Sequence, residues 1–229
     1  MRNCLITNRT FTIAFRSSFV AVGLLGILAS FGFFEYNYRE EFYVYFTNLS
    51  NYLCFGIMLV EFILTLRDDQ HRFAKLIPPL KFAATLSILL TFFVFNFILA
   101  DVYYGGSIKA KYEISSVLYH VVLPLMFTAD TILFDDRKRM RLYFPVVSVL
   151  VPLLYGAFIY IRSAIPEISY KAKVIYPYFF MNVKSLGFEK VAIWLSVMLL
   201  VYIAAGYVLY AVVNGVAALC EALKHKHLQ

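Results

Sequence analysis

Apolar residues fall in six long runs, at about 11–34, 44–66, 77–100, 114–134, 142–161 and 191–216, separated by polar or charged connections. Each run approaches the roughly 20 residues that an α-helix needs to cross the hydrocarbon of a bilayer. The runs are continuous rather than alternating, so they predict helices and not barrel strands, and an open sheet edge has no place in lipid. The expected fold is all-α: a polytopic membrane protein, a six-transmembrane-helix bundle, with residues 1–229 as one membrane domain and an outer loop at 162–190.

Composition agrees with this pattern. Hydrophobic residues make up 62% of the 229 and charged ones only 15%, too few polar groups to cover a water-soluble globule. The net charge of +7 could signal nucleic acid, but the basic residues sit in brief runs between apolar segments, where they orient helices against anionic headgroups. No nucleic-acid partner is expected; membrane lipid is. If the helices alternate in direction, one side collects Arg2, Arg9, Arg16, Arg67, Arg72, Lys75, Arg137, Lys138, Arg139, Arg141, Lys224 and Lys226. The short connections on the other side carry only Arg39, Lys109 and Lys111. The positive-inside rule makes the first side cytoplasmic, with both termini there. Three cysteines with no ligand-like spacing predict neither a disulfide framework nor a metal site, and no cofactor motif is present.

The informative residues are the polar ones that interrupt apolar runs, because each is a cost in lipid. The second run opens Phe46-Thr47-Asn48-Leu49-Ser50-Asn51, with Thr47 and Asn51 four apart on one helical face and Asn48 alongside. The third run carries Asn96 and ends at Asp101; the fourth carries His120. At 1.5 Å per residue, Thr47 lies about 4.5 Å and His120 about 9 Å inside the outer boundary, so one layer can hold both. A hydroxyl beside an imidazole is the minimum pair for nucleophilic catalysis, and side-chain amides can hold an oxyanion. The same residues can equally be helix glue, with Thr47 bonded to its own backbone. A second polar layer, Glu61, Thr65, Asp130 and Thr131, lies toward the cytoplasmic side. Paired carboxylates at that depth can relay protons, but Arg16 and Lys81 reach a similar depth near helix ends, where ordinary interfacial ion pairing is the favoured account of the four and both cations are expected to snorkel to the interface. The outer loop contains Tyr176-Pro177-Tyr178-Phe179-Phe180, read either as an aromatic belt at the interface or as a lid over a bundle cavity, packed on the outer end of the bundle.

Tyr45 to Asn51, His120-Val121-Val122-Leu123-Pro124 running to Asp130, and Tyr176-Pro177-Tyr178 followed by Leu186-Gly187-Phe188 together resemble the bacterial Pr-six-Pr membrane protein family, over about residues 10–215. That family is similar in turn to the androgen-induced-gene membrane proteins, which hydrolyse fatty acid esters of hydroxy fatty acids with a threonine and a histidine. The resemblance implies a bacterial cytoplasmic membrane, a fatty acid ester substrate, Thr47 as nucleophile and His120 as base. Asn48, Asn51, Asn96 and Tyr176 are the candidates for substrate binding or the oxyanion.

Three functions compete at this point. The favoured one is a threonine-dependent lipid ester hydrolase. A carrier or channel for a small solute or proton would need a hydrated path between the two polar layers. A non-catalytic partner in a membrane assembly would need no cavity.

Overall fold

In a computed structural model, residues 5–36, 38, 41–68, 76–100, 114–136 and 140–226 are described. Asp101, Arg39, Lys109, Lys111, Arg72, Lys75 and Arg137 to Arg139 lie outside them. The described residues form helices and connections without a strand. The elements are α1 (Arg9–Ser30), α2 (Phe46–Leu66), α3 (Ile77–Leu99), α4 (114–134), α5 (Phe144–Ala164), α6 (Pro166–Lys171), α7 (Val183–Leu186) and α8 (Phe188–Lys226). Five are long and apolar enough to cross a bilayer, and the apolar part of α4, Leu118–Phe134, is a shorter sixth. The chain is thus a helical, multi-pass membrane bundle.

Local sequence sets the helix ends. Asn8 caps α1 by accepting the Phe11 N–H, satisfying one of the donors that a helix start leaves open. Pro78 and Pro79 stand in the first turn of α3, where a missing N–H costs nothing. Two further prolines stand inside helices, and each frees a carbonyl four residues earlier. Pro152 in α5 frees the Ser148 carbonyl, which accepts from the Tyr202 hydroxyl of α8 at 3.3 Å. Pro124 in α4 frees that of His120, which accepts from Asn96 of α3 at 3.1 Å. Helix breaks are thereby converted into ties between helices.

The expected spans hold to within a few residues at most ends, with two extensions. The fifth span runs on to Ala164, so Arg162 belongs to its last turn and not to the loop. The sixth starts at Phe188 and continues helical to Lys226, about 58 Å at 1.5 Å per residue, longer than a bilayer's hydrocarbon requires. The loop between them, expected as one connection from 162 to 190, contains α6, a 3-10 turn at Phe179–Met181 and α7.

An apolar layer of Phe19, Cys54, Met58, Ile88, Leu123 and Phe127 packs at mid-bundle. It divides the molecule into a Thr47 end and an Arg16 end.

Candidate functional site

At the Thr47 end, α2, α3, α5, α8 and the 178–181 segment enclose a cavity of about 280 Å³. Its wall is almost wholly apolar, and hydroxyls are its main polar groups. Most of these are engaged. Tyr155 donates to the Val44 carbonyl at 2.8 Å and Tyr160 to that of Met181 at 3.2 Å. Thr91 pairs with Ser50 at 3.0 Å and Tyr202 with Ser87 at 3.0 Å. Tyr178 accepts the Thr47 backbone N–H at 3.4 Å. Thr47 lines the cavity too, yet its hydroxyl has no hydrogen bond among the described residues.

The reason is positional. Thr12, Thr65, Thr85, Thr128 and Thr131 each donate to the carbonyl four residues earlier, the usual satisfaction of a threonine in an apolar helix. Thr47 is the second residue of α2, so the carbonyl four residues earlier lies outside the helix, in the preceding 3-10 turn at Phe42–Val44. The expected alternative, a Thr47 bonded to its own backbone, is absent from the structure. The same position puts the hydroxyl at the positive end of the helix dipole.

His120 lies in the same layer but behind the cavity wall. Its ring stacks on Phe95, centroids 3.4 Å apart and 10° from parallel, and Phe95 lines the cavity. Nδ1 lies 2.9 Å from the Ser116 carbonyl. A carbonyl can only accept, so the proton is on Nδ1 and the basic lone pair on Nε2. The Thr47 hydroxyl and His120 share no direct hydrogen bond. Both helices at this layer contain a single π-helical turn, Phe95–Leu99 in α3 and Leu118–Val122 in α4, a distortion that recurs at functional sites.

The asparagines surround this layer. Asn51 gives its amide hydrogens to the Thr47 and Tyr119 carbonyls, and Asn96 to those of Phe92 and His120. Asn48 uses one on the Phe42 carbonyl at 2.8 Å, and the other has no partner among the described residues. Asn51 and Asn96 are thus ties that hold α4 where Pro124 breaks it. Tyr176 packs on Tyr160, ring centroids 6.2 Å apart, outside the cavity lining. The expected packing of the outer-loop aromatics on the bundle is present: Tyr178 and Phe180 are buried, stacked on each other, and roof the cavity.

At the Arg16 end the second polar layer is a buried ion cluster. Arg16 (2% exposed) pairs with Glu61 and with Asp130 (0%); Lys81 (1%) pairs with Asp130 and Asp135. Arg16 also donates to the Thr65 hydroxyl at 2.8 Å. The pairing expected from sequence is there, but the snorkelling is not. Carboxylates from α2 and α4 converge on both cations, and a charge with such partners gains nothing by reaching for the interface. Asp135 follows the last apolar residue of α4, where the sequence pattern marks only a connection. Burial, outweighing the attraction of Lys81, pushes its carboxyl up to about 7. Arg162 is another buried cation that sequence assigned to a loop. It donates to the Val174 carbonyl at 2.8 Å and lies 3.6 Å from Glu41, pinning the chain that leads into the roof.

Among the described residues no cluster of histidine, cysteine or carboxylate side chains could hold a metal ion. Comparison of the chain with protein-family models, curated proteins and solved structures finds no match.

Proposed function

We propose that this protein is an integral membrane hydrolase of fatty acid esters in a bacterial cytoplasmic membrane, with both termini cytoplasmic and the Thr47 end in the outer leaflet. One observation carries the reading: among the described residues the hydroxyl of Thr47, alone of those lining an apolar cavity, has no hydrogen-bond partner, and it stands at the positive end of a 21-residue helix. The resemblance to the Pr-six-Pr and androgen-induced-gene families puts the nucleophile at the same residue.

In this mechanism Thr47 Oγ1 attacks the acyl carbonyl as its proton passes to Nε2 of His120. With no direct bond between the two, the proton crosses one water or follows a rotation of the threonine side chain. The tetrahedral oxyanion faces the start of α2 and the remaining amide hydrogen of Asn48. Its collapse expels the alcohol, which takes the proton from His120. Water then attacks the acyl-threonine with His120 again as base, releasing the fatty acid and restoring the hydroxyl. Asn51 and Asn96 position this machinery through the carbonyls of Thr47, Tyr119 and His120.

A solute path through the bundle would have to cross the packed layer of Phe19, Cys54, Met58 and Phe127, which favours the hydrolase over a channel. The lid of Phe95 over His120 favours a second reading, an acyl-binding protein without chemistry.

Purified protein assayed against a panel of lipid esters and a fluorophosphonate probe tests the proposal. Thr47→Ala and His120→Ala should each reduce turnover at least about a hundredfold, the double variant should be little worse, and Thr47→Ser should retain activity, since residues acting in one step are non-additive. A wild type that neither turns over an ester nor takes label sinks the hydrolase and leaves the binding protein.

A further inference from the structure

Resting on the acyl-cavity reading, we propose that the lipid enters this cavity sideways from the bilayer, through a portal between α5 and α8 with Gly156 as its threshold, and that a single acyl chain enters. The two helices are tightly joined toward the Arg16 end, where a Cβ on Gly206 would stand 2.9 Å from Cβ of Pro145. At the other end the roof bridges them, with Phe179 and Phe180 packed on Trp194 at ring distances of 5.8 and 6.3 Å. Between these two closures the wall is made by Leu153, Gly156 and Ala157 of α5 facing Leu195, Met198 and Leu199 of α8. A Cβ on Gly156 would meet nothing within 4 Å. The contrast with Gly206 is direct: one glycine lets two helices touch, and the other leaves space.

The surroundings identify what can fill that space. Leu153 is 50% exposed while it lines the cavity, and its neighbours Leu154, Phe158, Val197 and Leu200 are exposed apolar side chains, so the cavity wall continues into the lipid-facing surface. The route from water is roofed by buried Tyr178, Phe180 and Met181. An apolar rim on a membrane helix selects a hydrocarbon chain, and a cavity of about 280 Å³ equals about nine water-sized volumes at roughly 30 Å³ each. That accommodates one acyl segment and not a pair. The chain slides in past Gly156 and places its ester toward Thr47, on the far wall at the start of α2.

A diazirine-bearing fatty acid in phosphatidylcholine vesicles reads occupancy without requiring turnover. After illumination of the reconstituted wild type, mass spectrometry should find adducts on Ala157, Met198 or Leu199. Gly156→Trp and Ala157→Trp should each cut that yield at least about tenfold, whereas Leu154→Trp, on the outer face, should leave it unchanged. Two tryptophan positions guard against one failing to fold, and monodispersity in detergent is checked for each. Wild-type yields in both tryptophan variants would overturn the portal alone. A wild type with no cavity adducts would overturn the acyl cavity and the portal together. Adducts lost in both tryptophan variants, in a protein that hydrolyses no ester, would support the portal and count only against the chemistry.

Discussion

Asn96 of α3 donates to the main-chain carbonyl of His120 in α4, the acceptor that Pro124 leaves without its helical partner. A buried carbonyl deprived of its donor costs about 1–3 kcal/mol. Asn96→Ala should therefore destabilise the protein by about that amount, and Pro124→Ala, which restores the main-chain donor, should recover much of the loss. Thermal unfolding in detergent of the two single variants and the double variant measures the coupling. Equal losses that simply add would show that the two residues act separately.

The ion cluster at the other end should behave as a buried network. Removing one partner strands a charge, so Lys81→Met or Asp130→Asn alone should cost about 3–5 kcal/mol. Lys81→Met combined with Asp130→Asn should cost less than the two losses summed, because removing both partners leaves less charge unpaired. Unfolding of all variants in one detergent provides the cycle. Independent, small effects would mean that the pairs are solvated.

Tyr178→Phe removes the hydroxyl that accepts the Thr47 N–H at 3.4 Å but keeps the ring, so it should cost less than loss of the ring, with ester turnover falling by no more than a few-fold. Tyr178→Ala removes a buried roof ring and should cost about 3 kcal/mol or more, as large-to-small core changes do. Turnover and unfolding temperature measured on both variants separate the roles of hydroxyl and ring.

Orientation is checked by single cysteines in a background lacking Cys4, Cys54 and Cys220. Arg141→Cys and Lys173→Cys, both at exposed positions, should react with an impermeant maleimide from opposite faces of the membrane, Lys173→Cys from outside. Reaction of both from one face would refute the six-crossing arrangement.

Much of this architecture could be read from the chain. Six apolar runs marked the six helices, because length and hydropathy are properties of a segment. Thr47 and His120 shared a layer by counting residues, and the aromatic run at Tyr176 to Phe180 announced a packed segment. What could not be read was direction around each helix. Lys81 and Arg16 lie near helix ends, where a long side chain is free to leave the lipid, and only the convergence of Asp130, Asp135 and Glu61 from other helices retains them. Asn51 and Asn96 were candidates for an oxyanion site because their side chains can donate; their engagement follows from carbonyls on α4. One signal for that was present, since Pro124 stands four residues after His120. Gly156 and Gly206 are the same residue in similar helices, and only the neighbouring helix distinguishes them.

The buried ion cluster also dictates an order of assembly. Arg16 and Lys81 are synthesised well before the Asp130 that they share, 114 and 49 residues ahead of it. During that interval α1 and α3 hold cations with only Glu61 of α2 to answer them. A lone cation in lipid is costly, so α1 to α3 without α4 should pack far less stably in a bilayer than the four helices together. A chain truncated before Asp130 should therefore be easier to extract and degrade than one that extends past it.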